Sequence, residues 1–509
     1  MAKTTKSGKS SRKAVTGGMI AVIVAIILII ACFFTYISGI LPLTMTGISI
    51  TETLADGSTK TVKNFSLLET NLHFKQTLST YSSYGMVSED NLDDIYNQET
   101  GETYRDWLLK QTAGDMESIA LVERAAKQAG FMDMSAARKI ASLDAETLDL
   151  YAQIYGFQTG SQYLAALYGT GMSKRAYTDY MARTTLADEY VSYLKQFDPA
   201  IVPTDDKIQA DFDADPSAYT TFDFNYFFVG ADTDADGNVT GLKEAVAAAK
   251  KISDATTDSA SFRQACMDYL TEKDDQNSLA SFANDQDPTF CDNYTTTTLT
   301  YLSEEITSFI TGDSVTGDKT VIETDKGAYV VYIAQKGIDE TKTVTYRILT
   351  LKPDMSKIKD PTEEDYAKAA ADLAADAATY CTPGMSSLDF YKVVKTHSAS
   401  SNELLEGGYN AGVTASTFEY SESNPISPSE VSAGEWLFDE ARKAGDVNIV
   451  ISNDNKQVTV YYFEQSAPSW YMTIKNKIIS NNYIDWNATL DDTDPQYVIN
   501  SGLLKTFIY

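Results

Sequence analysis

Few side chains in this sequence belong to the types that enzymes use for proton transfer, nucleophilic attack or metal binding. The 509 residues include only two histidines, His73 and His397, and four cysteines. A Ser-His-Asp site or a histidine-rich metal site needs imidazoles that converge, and these two lie far apart in the chain. The sequence also lacks a Gly-rich phosphate loop and the HExxH, CxxC and GxSxG motifs. We therefore expect no cofactor and no chemistry of these classes.

One acidic cluster has the spacing of metal ligands. Asp232, Asp234 and Asp236 are followed by Gly237, which resembles the start of an EF-hand calcium loop. The twelfth position holds Lys243 where a glutamate is needed, and a predicted strand rather than a helix precedes the loop. A solvated Asp/Gly turn is therefore the preferred interpretation, and a calcium site at the three aspartates is the alternative.

An uncharged apolar run from Gly17 to Leu43 determines how the rest of the chain is interpreted. About 20 apolar residues in a helix can cross a bilayer, and the core of a cleaved signal peptide is shorter. Five basic residues precede the run: Lys3, Lys6, Lys9, Arg12 and Lys13. Because positive flanks stay in the cytoplasm, we predict a cytoplasmic tail over 1–16, a transmembrane helix over 17–43 and an extracytoplasmic body.

A lipid anchor is the alternative to the transmembrane helix. The segment Ile29-Ile30-Ala31-Cys32 looks like a bacterial lipobox, which would make Cys32 a lipidated cysteine. Both anchors place the bulk of the chain on the outer side of the membrane.

Composition indicates a folded and strongly acidic protein of several domains. The hydrophobic content is 43%, and the formal net charge is −30. Such a charge repels phosphate backbones and anionic lipids, so nucleic acid is a poor partner. The cysteines beyond the apolar run are Cys266, Cys291 and Cys381. We expect buried thiols, with a Cys266–Cys291 disulfide as the alternative.

Periodicity divides the body into a helical part, a duplicated α+β part and a final helix. A short hairpin and a series of capped helical segments occupy 44–218. Two units then repeat one order of a strand, two helices and a strand hairpin, over 219–338 and 343–467. Residues 468–509 contain the amphipathic helix Trp470–Asn487 and an apolar end that we expect to be docked.

This order of segments resembles the exported parvulin-type peptidyl-prolyl isomerases and chaperones of the SurA, PrsA and PpiD kind. In the helical part the resemblance depends on 125–130, 163–169 and Gly171-Met-Ser. In the repeats it depends on Asp389-Phe390, Gly407-Gly408, Gly317-Asp318 and Gly445-Asp446. It implies a multidomain α+β fold with one transmembrane helix and a SurA-like all-helical chaperone domain. Two tandem parvulin-like α+β domains follow, and the C-terminal helix packs back on the helical domain.

The resemblance also indicates where a proline-binding groove would lie. Active parvulins carry one histidine in the first strand and one in the last, around a small apolar pocket. By alignment of the repeats, the first-strand positions are Tyr226 and Arg347, and the last-strand positions are Tyr329 and Thr459. Neither repeat has either histidine, so we expect weak or absent isomerase activity.

The function implied by the resemblance is that of a membrane-anchored extracytoplasmic folding factor that binds unfolded or nascent exported polypeptides without a cofactor. Two alternatives stay open at this point. One is an active prolyl isomerase with a divergent site, and the other is a non-catalytic scaffold or adhesion module at the cell surface.

Overall fold

The computed structural model describes residues 39–54, 56–283, 286–421, 425–490 and 495–507. The predicted basic tail, the apolar residues 17–38 and Cys32 lie outside the described residues. The described chain forms a multidomain α+β fold, with one helical domain, two α+β domains of four strands each and a C-terminal segment.

The predicted fold class is wrong in its transmembrane helix. In the described part of the chain, no helix is both long and apolar enough to cross a membrane. The end of the predicted span instead forms the five-residue helix α1 (Ile40–Thr44). Gly39 starts it in a left-handed conformation, with φ of 72°, against the backbone of Gly171. Leu43 packs against the core cluster that contains Leu164. Packing within the protein therefore explains the apolar side chain at this position.

The helical domain follows α1 and contains four short strands and six further helices. The strands are β1 (Thr46–Thr53), β2 (Thr59–Ser66), β3 (Ile95–Asn97) and β4 (Glu102–Thr103). The helices are α2 (Leu67–Ser83), α3 (Tyr104–Gln128), α4 (Ser135–Ile154), α5 (Gly160–Tyr168), α6 (Lys174–Phe197) and α7 (Asp205–Ala214).

Side-chain caps explain why these helices begin where they do. The first backbone N–H groups of a helix have no partner within it, and a Ser or Thr oxygen can accept from one of them. Ser66 caps α2, Thr103 caps α3, Thr159 caps α5, Ser173 caps α6 and Thr204 caps α7. The polar residues before these apolar runs therefore fix where the five helices begin.

Domain 1 contains four antiparallel strands and four helices. In chain order they are β5 (Thr220–Gly230), α8 (Leu242–Ala255), α9 (Ser259–Glu272), α10 (Gln276–Ala280), β6 (Phe290–Tyr294), α11 (Glu304–Thr311), β7 (Lys319–Thr324) and β8 (Gly327–Ile338). The sheet order is β6-β5-β8-β7, so the first and last strands are neighbours at its centre.

Domain 2 repeats this architecture element by element. In chain order it contains β9 (Lys342–Leu351), α12 (Glu363–Tyr380), α13 (Ser387–His397), α14 (Ser401–Glu406), β10 (Tyr409–Val413), α15 (Pro428–Phe438), β11 (Val447–Ile451) and β12 (Val458–Pro468). The sheet order is β10-β9-β12-β11, with every pair antiparallel. The internal duplication is therefore a duplication of topology.

Each sheet separates two apolar clusters. In domain 1, α8 and α9 cover one face, and α11 packs on the other face against Phe222 and Phe224. In domain 2, α12 and α13 cover one face, and α15 packs on the other against Tyr346. The thiols of Cys266, Cys291 and Cys381 are free, so no disulfide joins the first two. Burial raises the pKa of Cys381 to about 12, so its thiol is a poor nucleophile at neutral pH.

The C-terminal segment returns to the helical domain. It consists of α16 (Ser469–Thr489), β13 (Pro495–Ile499) and α17 (Ser501–Phe507). Ile479, Tyr483 and Trp486 of α16 pack against a cluster from α3 and α6. Strand β13 pairs with β1, which gives a sheet of order β13-β1-β2 in which the two ends of the described chain meet.

Domain 2 is docked on the helical domain through α13 and α14. Leu404 is fully buried against Ala136 and Ile140 of α4. Lys139 donates a hydrogen bond of 2.6 Å to the carbonyl of Ser398. Ser192 of α6 donates a bond of 2.6 Å to Glu406. This interface fixes the orientation of the second sheet relative to the helices.

Candidate functional site

Backbone hydrogen bonds establish which residues of the two domains are equivalent. The N–H of Tyr226 donates to the carbonyl of Thr289, the residue before β6, over 2.9 Å, and the N–H of Ile348 donates over 2.9 Å to the carbonyl of Gly408, the residue before β10. Tyr226 therefore corresponds to Ile348. Phe228 lies two residues after Tyr226 and pairs with Tyr329 of the last strand. Thr350 lies two residues after Ile348 and pairs with Thr459. Tyr329 and Thr459 are therefore equivalent.

The predicted placement of Arg347 in a groove is wrong by one residue. Arg347 corresponds to Asn225, which is fully buried and donates hydrogen bonds to Asp287 and Thr289. Successive side chains of a strand point to opposite faces, so a shift of one residue moves a side chain to the other side of the sheet. Arg347 therefore points away from the groove formed with Thr459.

Arg347 instead lies where domain 2 meets the helical domain, and its side chain is 1% exposed. Its Nε donates to Glu464 at 2.6 Å, and its Nη1 donates to the carbonyl of Gly407 at 3.0 Å. The guanidinium lies 4.9 Å from the ring centre of Phe197 at the end of α6. These contacts give Arg347 a structural role, because each links parts of the fold that meet at this interface.

A second buried charge pair at the same interface predicts a pH-dependent stability. Glu189 lies 3.0 Å from Lys395 and its side chain is 1% exposed. Burial, opposed by Lys395, raises the pKa of Glu189 to about 7. The other charged groups near it are Asp133 and Asp188, which add to the increase.

Because the folded protein holds this proton more tightly than the unfolded chain, stability is lost as the pH rises from about 4.5 through about 7. We expect the free energy of unfolding of the wild type, relative to Glu189→Gln, to fall by about 3 kcal/mol over this interval. Urea denaturation of both proteins across the pH range measures the difference, since other groups titrate alike in both. Parallel stability curves would contradict the assignment.

In domain 1, aromatic rings cover the groove between the first and last strands. Tyr226 and Tyr329 are half-buried with ring centres 6.5 Å apart. The ring of Phe228 lies 4.7 Å from that of Tyr329. Both tyrosines pack on the apolar cluster below them, and burial raises the pKa of Tyr226. The groove positions at Tyr226 and Tyr329 are thus covered by their own side chains, and the cavity of about 470 Å³ in this domain opens beside Tyr226 and Phe228, away from Tyr329.

In domain 2, the equivalent position is an open cavity of about 370 Å³. Ile348, Val450, Thr459 and Tyr461 line it, and Gln457 Nε2 donates a 2.9 Å hydrogen bond to Thr459 Oγ1. Polar side chains complete its wall: Lys352, Ser427, Ser429, Glu430, Ser452, Asp454 and Lys456. Ile348 and Val450 provide a small apolar part, and the rest of the lining is mostly polar, which suits hydrogen bonding to a peptide backbone beside a small side chain.

Both histidines lie away from the grooves. His397 is exposed at the end of α13, with its ring stacked on Tyr380 at 4.4 Å. His73 is buried in α2, and burial together with Arg183 lowers its pKa to about 4. Neither imidazole lines the cavity of domain 2, so the acid–base chemistry of a histidine is missing there.

The aspartate cluster in domain 1 forms a turn. Asp234 Oδ1 accepts hydrogen bonds from the N–H groups of Asp236 and Asn238, at 3.0 and 2.8 Å. Hydrogen bonds from Asn238 lower the pKa of Asp234. Among the described residues, no group of three or more His, Cys, Asp or Glu side chains is arranged to hold a metal ion. The alternative of a calcium site at Asp232, Asp234 and Asp236 therefore receives no support.

Sequence reasoning missed most of the lining of the domain 2 cavity. Of that lining, Thr459 alone was among the predicted groove residues, whereas Ile348, Val450, Tyr461 and Gln457 were not. Matching the aromatic residues Phe224 and Tyr346 in the two first strands gives the correct register, and this signal was present in the sequence.

Comparison of the chain with protein-family models finds no match, and no curated protein matches it. The structure itself therefore defines the class: a multidomain α+β protein in which two domains of one antiparallel topology follow a helical domain.

Proposed function

We propose that this protein is a folding factor of the parvulin-type foldase class that binds unfolded polypeptides, with the groove of domain 2 as one binding site. The observation that carries the proposal is the pairing of an open cavity in domain 2 with an aromatic-filled groove at the equivalent position of domain 1. In both domains the first and last strands are hydrogen-bonded neighbours. The groove positions of these two strands therefore lie side by side on one face of the sheet.

The chemistry of the cavity favours binding without a covalent step. Its hydroxyl, amide and amine groups can bond to the backbone of a passing polypeptide, and Ile348 and Val450 can contact a small side chain. Binding of this kind is reversible and tolerates many sequences. An extracytoplasmic site of action, where exported polypeptides arrive unfolded, is part of the proposal, because five basic residues precede an uncharged apolar run that begins at Gly17.

Exchanging the equivalent residues of the two grooves tests the proposal. Thr459→Tyr places in domain 2 the residue that covers the groove of domain 1, and Tyr329→Thr is the matched reciprocal change. We expect Thr459→Tyr to weaken binding of a fluorescently labelled unfolded polypeptide about tenfold, because the cavity is filled. Tyr329→Thr should leave the affinity unchanged or increase it.

Fluorescence anisotropy measures these affinities, and urea denaturation establishes that both variants are folded. Equal affinity of the wild type and Thr459→Tyr would exclude the domain 2 groove as a binding site.

Prolyl isomerisation supplies a separate prediction. Rotation about the peptide bond has a barrier of about 18–20 kcal/mol, and lowering it requires donors aimed at the twisting amide. With Ile348 and Thr459 where active parvulins carry histidines, we expect no acceleration of isomerisation in a protease-coupled assay with proline peptides. A rate above the uncatalysed one that Thr459→Tyr abolishes would contradict this and make the protein an isomerase with a divergent site.

A further inference from the structure

Another cavity lies between the helical domain and domain 2, away from both grooves. Its volume is about 580 Å³, and its walls come from the segment joining α3 to α4, from α6 and from α13. Aromatic and aliphatic side chains form most of the wall: Phe131, Tyr190, Tyr193, Leu194 and Tyr391. The helical domain and domain 2 both contribute side chains to the wall. The cavity therefore exists only while domain 2 is docked.

Three acidic side chains and two lysines line the cavity: Asp133, Glu189 and Asp198 against Lys392 and Lys395. Lys395 lies 3.0 Å from Glu189, whose pKa is raised to about 7, and Lys392 is paired with Asp389 at 3.3 Å. Asp133 and Asp198 also line the cavity, and no ion pair joins either of them to a cation in the described part of the chain. Hydrogen bonds from Ser135 lower the pKa of Asp133, so it stays ionised.

One polar atom in the cavity wall lacks a partner. Tyr391 is 4% exposed, and its hydroxyl makes no hydrogen bond within the described residues. A buried hydroxyl without a partner is costly, and a ligand that supplies a donor or an acceptor would remove the cost. The Tyr391 ring lies close to the ion pair, because Lys395 Nζ is 5.5 Å from its centre.

From this combination we infer that the cavity binds an arginine or lysine side chain of a polypeptide held by the protein, an inference that rests on the proposed function. Aromatic faces attract a cation through their π electrons, and Asp133 and Asp198 supply the opposite charge. The formal net charge of −30 raises the local concentration of cationic segments. Unfolded chains that bind equally well to the groove of domain 2 therefore differ in total affinity, according to whether an arginine or lysine side chain reaches the cavity.

Two labelled unstructured peptides, identical except for Arg or Gln at the same positions, test the inference on the full chain. We expect the wild type to bind the Arg peptide about tenfold more tightly, and added salt to weaken this peptide alone. The double variant Asp133→Asn/Asp198→Asn should reduce the preference to about twofold. Each asparagine keeps the oxygen that accepts from Ser135 or Ala200, so the local fold is retained.

The matched control is Asp372→Asn/Asp376→Asn, which removes the same charge from exposed positions of α12. It should keep the preference for Arg. Equal binding of the two peptides by the wild type, or an unchanged preference in the cavity variant, would overturn the inference while the proposed function stands. Tighter binding of a Glu version of the peptide would also overturn it. Failure of the wild type to bind any of the peptides would overturn both proposals.

Discussion

Replacing Arg347 by methionine is expected to lower the free energy of unfolding of domain 2 by about 3 to 5 kcal/mol, the usual cost of removing one partner of a buried ion pair. The substitution leaves Glu464 without its cation and the carbonyl of Gly407 without a donor. Ser387, which also donates to Glu464, cannot replace the charge. The contact with Phe197 is lost as well, so docking on the helical domain should weaken together with the domain.

Urea denaturation measures this effect, and hydrogen exchange of α13 and α14 reports the loss of docking. Arg175→Met is the control, because Arg175 is 94% exposed and its contact with Asp179 is 3.9 Å long. The control should change stability by no more than about 0.5 kcal/mol. The double variant Arg347→Met/Glu464→Gln should recover part of the loss. A cost for Arg347→Met as small as that of the control would contradict the structural role.

Substituting Gly408 by alanine is expected to destabilise domain 2 by about 3 kcal/mol or more, since backbone strain and a steric clash add. Gly408 has φ of +71°, and a Cβ atom there would lie 2.1 Å from the carbonyl oxygen of Ile348. That oxygen belongs to a central strand and cannot move without breaking its pairing. The substitution therefore separates β10 from β9, beside the groove.

Gly384→Ala is the control variant, because it introduces the backbone strain of a positive φ without a steric clash. Gly384 has φ of +83°, but a Cβ atom would meet nothing within 4 Å. Only the left-handed backbone would then cost energy, about 1 to 2 kcal/mol. Thermal unfolding followed by circular dichroism measures both variants. Equal losses of stability would show that the close approach of β10 to Ile348 does not occur.

Apolar periodicity predicted the final helix closely, although this helix has no side-chain cap. The predicted Trp470–Asn487 lies within α16, which begins at Ser469 and ends at Thr489. Strands β6 and β10 were missed, because each is only five residues long and lies at the edge of its sheet. Strand β13 was also missed, since its partner β1 is more than 400 residues away.

The errors at the candidate site have one physical origin. The last strands were aligned correctly, whereas the first strands were aligned one residue out of register because the match of Phe224 with Tyr346 was not used. A one-residue slip then placed Arg347 on the wrong face of its sheet. The apolar residues 40–43 show the same limit, because hydropathy alone does not distinguish a membrane span from a segment buried in a protein core.

Suppression of aggregation is the most direct test of polypeptide binding. A chemically unfolded client is diluted into buffer with and without the full chain, and light scattering is followed over time. The account predicts that the wild type lowers the scattering in proportion to its concentration and that Thr459→Tyr does so less well. Scattering that the wild type leaves unchanged for every unfolded client tested would contradict it.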